Sequence, residues 1–258
     1  MPHHARLLSP RLLRAISAGP PGRARFGLTV IPLQVHGAGA ARPRPAQPLA
    51  VRELQPAAPG KVMATSDAGA AGTVTFGQRL TGGMADRVVV ATSALPLGEK
   101  TIVPVAPLES RWWDEGPLRP RGQLSPTLQA LLQLTVSDWI GLRSLARTAL
   151  WEACRDPSND DPAAEHDGWA LFDGSTLLAI HLSLPPLAGP PSRPGPPPDP
   201  RSSALVRRAL SEAGRDDRVG WSAHSQGRLI ELSMVRASLT LPDAILRAAS
   251  RRTDPVQT

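Results

Sequence analysis

The residues of this chain whose types and spacing could do chemistry gather in residues 77–113, GQRLTGGMADRVVVATSALPLGEKTIVPVAPLESRWW. Gly82 and Gly83 permit the positive φ of a tight turn and a close backbone approach to a neighbour or ligand. Asp86 and Arg87 follow at once, and a strand points adjacent side chains to opposite faces, so each needs a partner other than its neighbour. Glu109 and Arg111 stand at the end of the next expected strand, on one face and about 7 Å apart, with Trp112 on the other face and Trp113 beside Arg111. Two roles suit these charges. In one, Arg87 and Glu109 form a buried, tryptophan-covered ion pair that fixes strand register. In the other, Arg87 or Arg111 grips an anionic group, Glu109 serves as acid, base or hydroxyl acceptor, and tryptophan stacks on a ring.

Other chemistries find little footing. AHSQG, residues 223–227, imitates a nucleophile elbow, but RLIELSMV after it is strand-like where a helix is required, and His224 is the last histidine of the chain. Ser225 is therefore read as part of a hairpin turn. His3, His4, His36, His166 and His181 show neither helical pairing nor a carboxylate at ligand spacing, so no metal is implied. No phosphate loop or dinucleotide-binding glycine pattern is present, and no cofactor is implied.

The elements that must position the motif are β-rich at first. Residues 26–35, 49–54, 61–66, 72–76, 87–95 and 101–108 are β-branched runs separated by proline or glycine, which predicts an antiparallel sheet. Pro104 and Pro107 remove ladder donors and place their strand at an edge or a bulge. Helical periodicity takes over after Gly122. Ser125 and Pro126 open a helix to about Leu134, and Ser137 caps a second in which Arg143, Arg147, Trp151 and Arg155 recur every fourth residue on a solvated face. Residues 169–184 read as a hairpin turning at Asp173 and Gly174, with Leu171 and Leu178 or their neighbours inward. Residues 185–200 form a proline-rich loop. Ser202 or Ser203 then caps a helix to about Ala213, a second hairpin turns near Gln226 and Gly227, and Pro242 opens a last helix. The expected fold class is α+β, a β-rich N-terminal half with an antiparallel sheet followed by helices and two hairpins, in a single domain over residues 25–255.

Composition bounds the class of protein. Hydrophobic residues make up 41% of the 258, enough for a core, yet aromatics are 3% and tyrosine is absent, so aliphatic side chains must build it. The net charge of +7 invites an acidic partner. Lys61 and Lys100 are the only lysines among 29 basic residues, and the arginine, proline and alanine bias looks like GC-rich coding. With no aromatic-interleaved basic strip, a nucleic-acid role rests only on the Arg143–Arg155 stripe and ranks below the other readings. A lone Cys154 excludes an internal disulfide and suits a reducing, cytoplasmic setting. No apolar run is long enough for a membrane-spanning helix, so no membrane partner is expected. Residues 1–24, arginine-rich and broken by Pro10, Pro20 and Pro21, read as a disordered extension or an early start codon.

The motif residues resemble those of a bacterial family, the ARG-and-rhodanese-phosphatase-superfamily-associated (ARPP-type) proteins, named for association with ADP-ribosylglycohydrolases. Gly77, Leu80, Gly82, Gly83, Asp86 and Arg87 match its glycine, leucine, Gly-Gly and Asp-Arg steps, and Pro104-Val105 followed by Glu109, Arg111 and Trp112 resembles its Pro-Val strand and Glu-x-x-Arg-Trp stretch. The likeness covers about residues 26–183. It implies a polar site around Gly82, Gly83, Asp86, Arg87, Arg111 and Trp112, with Glu109 catalytic, that binds or processes an ADP-ribose or NAD-related metabolite or an ADP-ribosylated substrate. Gln78, Arg79 and Ala85 stand where many members carry Glu and Gln. The alternative expectation is a noncatalytic interaction or structural module whose motif residues are architectural.

Overall fold

The structure, a computed structural model, describes residues 14–24, 27–35, 49–66, 72–108, 115–136, 167–183, 197–212, 218–225 and 228–236. Its strands, in chain order, are β1 Ile16–Ala18, β2 Gly22–Arg23, β3 Thr29–Val35, β4 Leu49–Ala58, β5 Lys61–Ser66, β6 Gly72–Val74, β7 Gln78–Gly83, β8 Arg87–Val89, β9 Ser93–Leu95, β10 Lys100–Pro107, β11 Glu115–Gln123, β12 Gly168–Asp173, β13 Thr176–Ser183, β14 Arg218–Ser225 and β15 Arg228–Arg236. Two helices are described, α1 Pro126–Val136 and α2 Pro200–Glu212.

One sheet has the order β1-β3-β12-β13-β15-β14, with β2 also on β3. Because successive side chains alternate, Val30, Trp169 and Leu171 face one layer while Ile31, Leu33, Ala170 and Phe172 face the other. α2 closes the second layer with Val206, Ala209 and Leu210, spaced as one helical stripe. Its start is fixed by Asp199, whose carboxylate accepts from the backbone N–H of Ser202 at 3.0 Å and the Ser202 hydroxyl at 2.6 Å. Those bonds, the hydroxyl first, hold the Asp199 carboxyl below the usual aspartate range.

The second large sheet has the order β11-β7-β8-β10-β5-β4 and curls until its outermost strands β4 and β11 approach each other. The ladder is irregular on those two strands, with register shifts between Glu53 and Ala58 and twice along β11. Pro56, Pro117 and Pro120 lack the ladder N–H there, and the resulting bulges bend and twist the strands. Inside the curl lie Val51, Val62, Ala64, Leu80, Val89, Val103, Val105 and Leu118, joined by Val74 and Leu95 from the β6–β9 ribbon. β8 is buried on both faces. Val89 points into the curl, whereas Val88 packs with Phe76, Leu124, Leu128 and Trp169 between the two sheets.

The fold departs from the expected α+β succession. Strands hold well over half of the described residues against two short helices, and the sheets are antiparallel. The physical reason is long-range pairing: β3 hydrogen-bonds to β12, so the N-terminal strands and both C-terminal hairpins share one sheet instead of a β half preceding a helical one. The 1–24 stretch, expected to be disordered, supplies β1 and β2, with Ile16 and Ala18 buried in the core. β10 is not an edge strand but lies between β8 and β5. Pro104 ends the ladder to β5 and Pro107 ends the ladder to β8, so neither missing N–H falls within a run of bonds. α2 starts at Pro200 and is capped by Asp199, not by Ser202 or Ser203. α1 and the hairpin turning after Asp173, where Gly174 has φ 57°, lie where the sequence predicts them. The expected helices after Ser137 and Pro242 and most of the proline-rich loop lie outside the described residues.

Candidate functional site

The motif glycines terminate β7 and turn it into β8. Gly82 and Gly83 have φ of 93° and 65°, the left-handed region that only glycine enters freely. Space is as limiting as conformation at Gly83, where a Cβ would stand 2.7 Å from Glu53 Oε1 and 3.0 Å from Leu118 Cγ. Asp86 completes the turn by accepting from the Gly82 N–H at 3.1 Å through Oδ1. Its backbone carbonyl accepts from the Leu108 N–H, tying the turn to β10.

Arg87 leads out of this turn and is the largest fully buried side chain described, at 0% exposure. Its Nη1 lies 2.8 Å from Glu53 Oε2 and 3.5 Å from the Lys61 carbonyl oxygen. The contact with Glu53 has the distance of an ion pair without the angle of a directed hydrogen bond. Nε and Nη2 of Arg87 are buried and have no hydrogen-bond partner among the described residues. Glu53 keeps 22% of its side chain exposed, and its Oε1 accepts from the Met84 N–H at 3.2 Å. One carboxylate thus engages both the arginine and the turn before it.

Glu53 belongs to β4, an end strand of the sheet order, and Arg87 to β8 inside it. The ion pair therefore crosses the curl and holds β4 against the β7–β8 turn. Asp86 and Arg87 do find separate partners. Arg87 is buried in an ion pair, but its described partner is Glu53; Glu109, Arg111 and Trp112 lie outside the described residues. Glu53 escaped the sequence reading although a signal was present. In residues 49–54 it shares the parity of Val51, so an acid sits on the apolar face of a strand.

A second buried polar group adjoins the motif from α1. Trp169 Nε1 donates to Gln129 Oε1 at 3.0 Å, and Gln129 Nε2 donates to the Leu124 carbonyl at 2.7 Å. His181 stacks against Trp169 at 5.9 Å between ring centroids and meets Phe76 at 5.2 Å. Gly77, at φ 80°, lies under the Gln129 side chain, where a Cβ would come within 2.9 Å. Its N–H donates to Val89 and its carbonyl accepts from Leu124. The first glycine of the motif thereby ties β7, β8 and α1 together.

No group of three or more His, Cys, Asp or Glu among the described residues could hold a metal ion, and no described helix is long and apolar enough to cross a membrane. Comparison with family models, curated proteins and solved structures finds no match for the chain. The family resemblance rests on the motif residues themselves.

Proposed function

We propose that this chain is a noncatalytic interaction or structural module in which the glycine, aspartate and arginine motif is architectural. The observation that carries this reading is the complete burial of Arg87 against Glu53 at 2.8 Å. An arginine that receives an anionic ligand must present donors to an opening, and a bidentate grip on phosphate or carboxylate requires that its fork be reachable. Arg87 instead faces a carboxylate of its own chain. Gly82, Gly83 and Asp86 are likewise occupied by the turn, and the close approach allowed at Gly83 is taken by Glu53 and Leu118.

The competing reading, a site for an ADP-ribose or NAD-related metabolite, needs Arg87 or Arg111 free to grip the anion; Arg87 is taken by Glu53, and Arg111 lies outside the described residues. Calorimetry with ADP-ribose and NAD separates the two. The module reading expects no heat from the native protein. Heat that disappears in Arg87→Met, while the folded circular dichroism spectrum is kept, would overturn it.

A further inference from the structure

The outer face of the curled sheet presents a combination that the motif does not use. Strand alternation places Arg52, Met63 and Ile102 opposite the interior row, and the register aligns them directly: Ile102 faces Met63 on β5, which faces Arg52 on β4. Ile102 is 58% exposed on this face, and Leu97, 57% exposed, lies at the sheet's end, bridged to Ser66 at the end of β5. They are the exposed large hydrophobic side chains of the described residues. Arg52, Lys61 and Lys100 are exposed around them. None of these cations has an ion-pair partner among the described residues, and Glu99, exposed just before β10, is the acid adjoining them there. In a chain where arginine fills nearly every basic position, both lysines stand beside this apolar row.

Resting on the module reading above, we infer that this face docks an acidic segment of a partner protein, one carrying apolar side chains between its carboxylates. Apolar contact over Ile102 and Met63 would form the centre of the interface, and the partner's carboxylates would meet Arg52, Lys61 and Lys100 at its rim. A second copy of this chain is disfavoured, because the same cations would confront one another. Single-stranded nucleic acid binds on aromatic stacking platforms, and the row itself contains none. Charge complementarity and exposed apolar area together select an acidic protein segment.

The test is fluorescence anisotropy with a labelled synthetic peptide that alternates glutamate with valine and leucine, beside a matched peptide with lysine in place of glutamate. The native protein should bind the acidic peptide and not the basic one. Lys61→Glu with Lys100→Glu should weaken it by about tenfold or more, and Ile102→Thr by about threefold or more. Arg23→Glu with Arg201→Glu makes the same change in net charge on the other sheet and its helix and should leave affinity within about twofold. Melting curves confirm that each variant is folded, and Lys61→Gln with Lys100→Gln replaces the reversal if that variant is not. The inference is overturned by absence of binding, by equal loss in the two charge-reversed pairs, by affinity retained in Lys61→Glu/Lys100→Glu, or by binding to phosphatidylserine vesicles or oligothymidylate in place of the peptide. Heat with ADP-ribose that Arg87→Met abolishes would remove the module reading and leave the peptide result standing. Failure of the peptide with no ADP-ribose heat removes only the docking face.

Discussion

Replacing Glu53 by glutamine changes one charge at the point where the curled sheet is held shut. Glutamine can still accept from the Met84 N–H as Glu53 Oε1 does at 3.2 Å. Its other terminal atom then sets a neutral group, with a donor N–H₂ in that orientation, against Arg87 Nη1, which Glu53 Oε2 approaches to 2.8 Å. Arg87 is at 0% exposure and cannot recover hydration without opening the sheet. Removing one partner of a buried pair costs about 3–5 kcal/mol. Because 22% of Glu53 is exposed, water screens part of the loss, and the lower end of that range, about 3 kcal/mol, applies. For a chain of this size each kcal/mol lowers the midpoint by about 2–4 °C, so Glu53→Gln should melt about 6–12 °C below the native protein. Arg87→Met removes the buried charge together with its partner's need, and the double variant should therefore be less destabilised than the sum of the singles by about 2 kcal/mol. Urea titrations of the four proteins measure that coupling. A Glu53→Gln midpoint indistinguishable from native, or singles that add to within about 0.5 kcal/mol, refutes the clasp.

Other outcomes follow from the same geometry. Gly83→Ala, with φ 65° and a Cβ 2.7 Å from Glu53 Oε1, should lose about 2–4 kcal/mol in urea titration, whereas Gly98→Ala, with φ 71° and nothing within 4 Å, should lose only about 1 kcal/mol. Gln129→Leu leaves the Trp169 indole N–H and the Leu124 carbonyl buried without their partner and should cost about 3 kcal/mol, with a shift in tryptophan fluorescence as the readout. Because the folded state holds the Asp199 carboxyl below its ordinary value of 3.8, its contribution to α2 is complete above that value and fades as pH falls through the lowered one. The stability difference between the native protein and Asp199→Ala should accordingly shrink between neutral and strongly acidic pH, and a constant difference would contradict the assignment of the cap.

What could be seen in the sequence was local. The hairpin of β12 and β13 announces itself because Asp173-Gly174 supplies the turn chemistry and Leu171 and Leu178 alternate inward. α1 is legible from Ser125 and Pro126. Arg87 and Asp86 could be said to need separate partners because strand alternation forbids their pairing. The identity of the Arg87 partner was not legible, since β4 and β8 are brought together by the curl, and that curl depends on bulges at Pro56, Pro117 and Pro120 whose direction no periodicity encodes. The same limit hid the pairing of β3 with β12. β11 escaped notice because EGPLRPRGQ contains two prolines and reads as a loop, yet it pairs with β7 by shifting register around them.

The clasp and a ligand site at Arg87 compete thermodynamically. For an anion to occupy the arginine, Glu53 must withdraw, at a cost of at least the ion pair that Glu53→Gln removes, about 3 kcal/mol. A binding-competent state that lies about 3 kcal/mol above the closed one lowers apparent affinity by about two orders of magnitude. A metabolite would have to recover that loss through contacts elsewhere. The outer face carries no such penalty, because Lys61, Lys100 and Arg52 are already exposed. The two faces meet at Lys61. Its carbonyl oxygen lies 3.5 Å from Arg87 Nη1, while its side chain stands on the surface opposite the interior row. Arg87 thus touches β4 through Glu53 and β5 through the Lys61 carbonyl, the two strands whose register sets Met63 opposite Arg52 on the outer face. Under the docking inference above, a motif that looks like a site from its residue types would serve interaction indirectly, by tying together the strands whose other face would meet the partner.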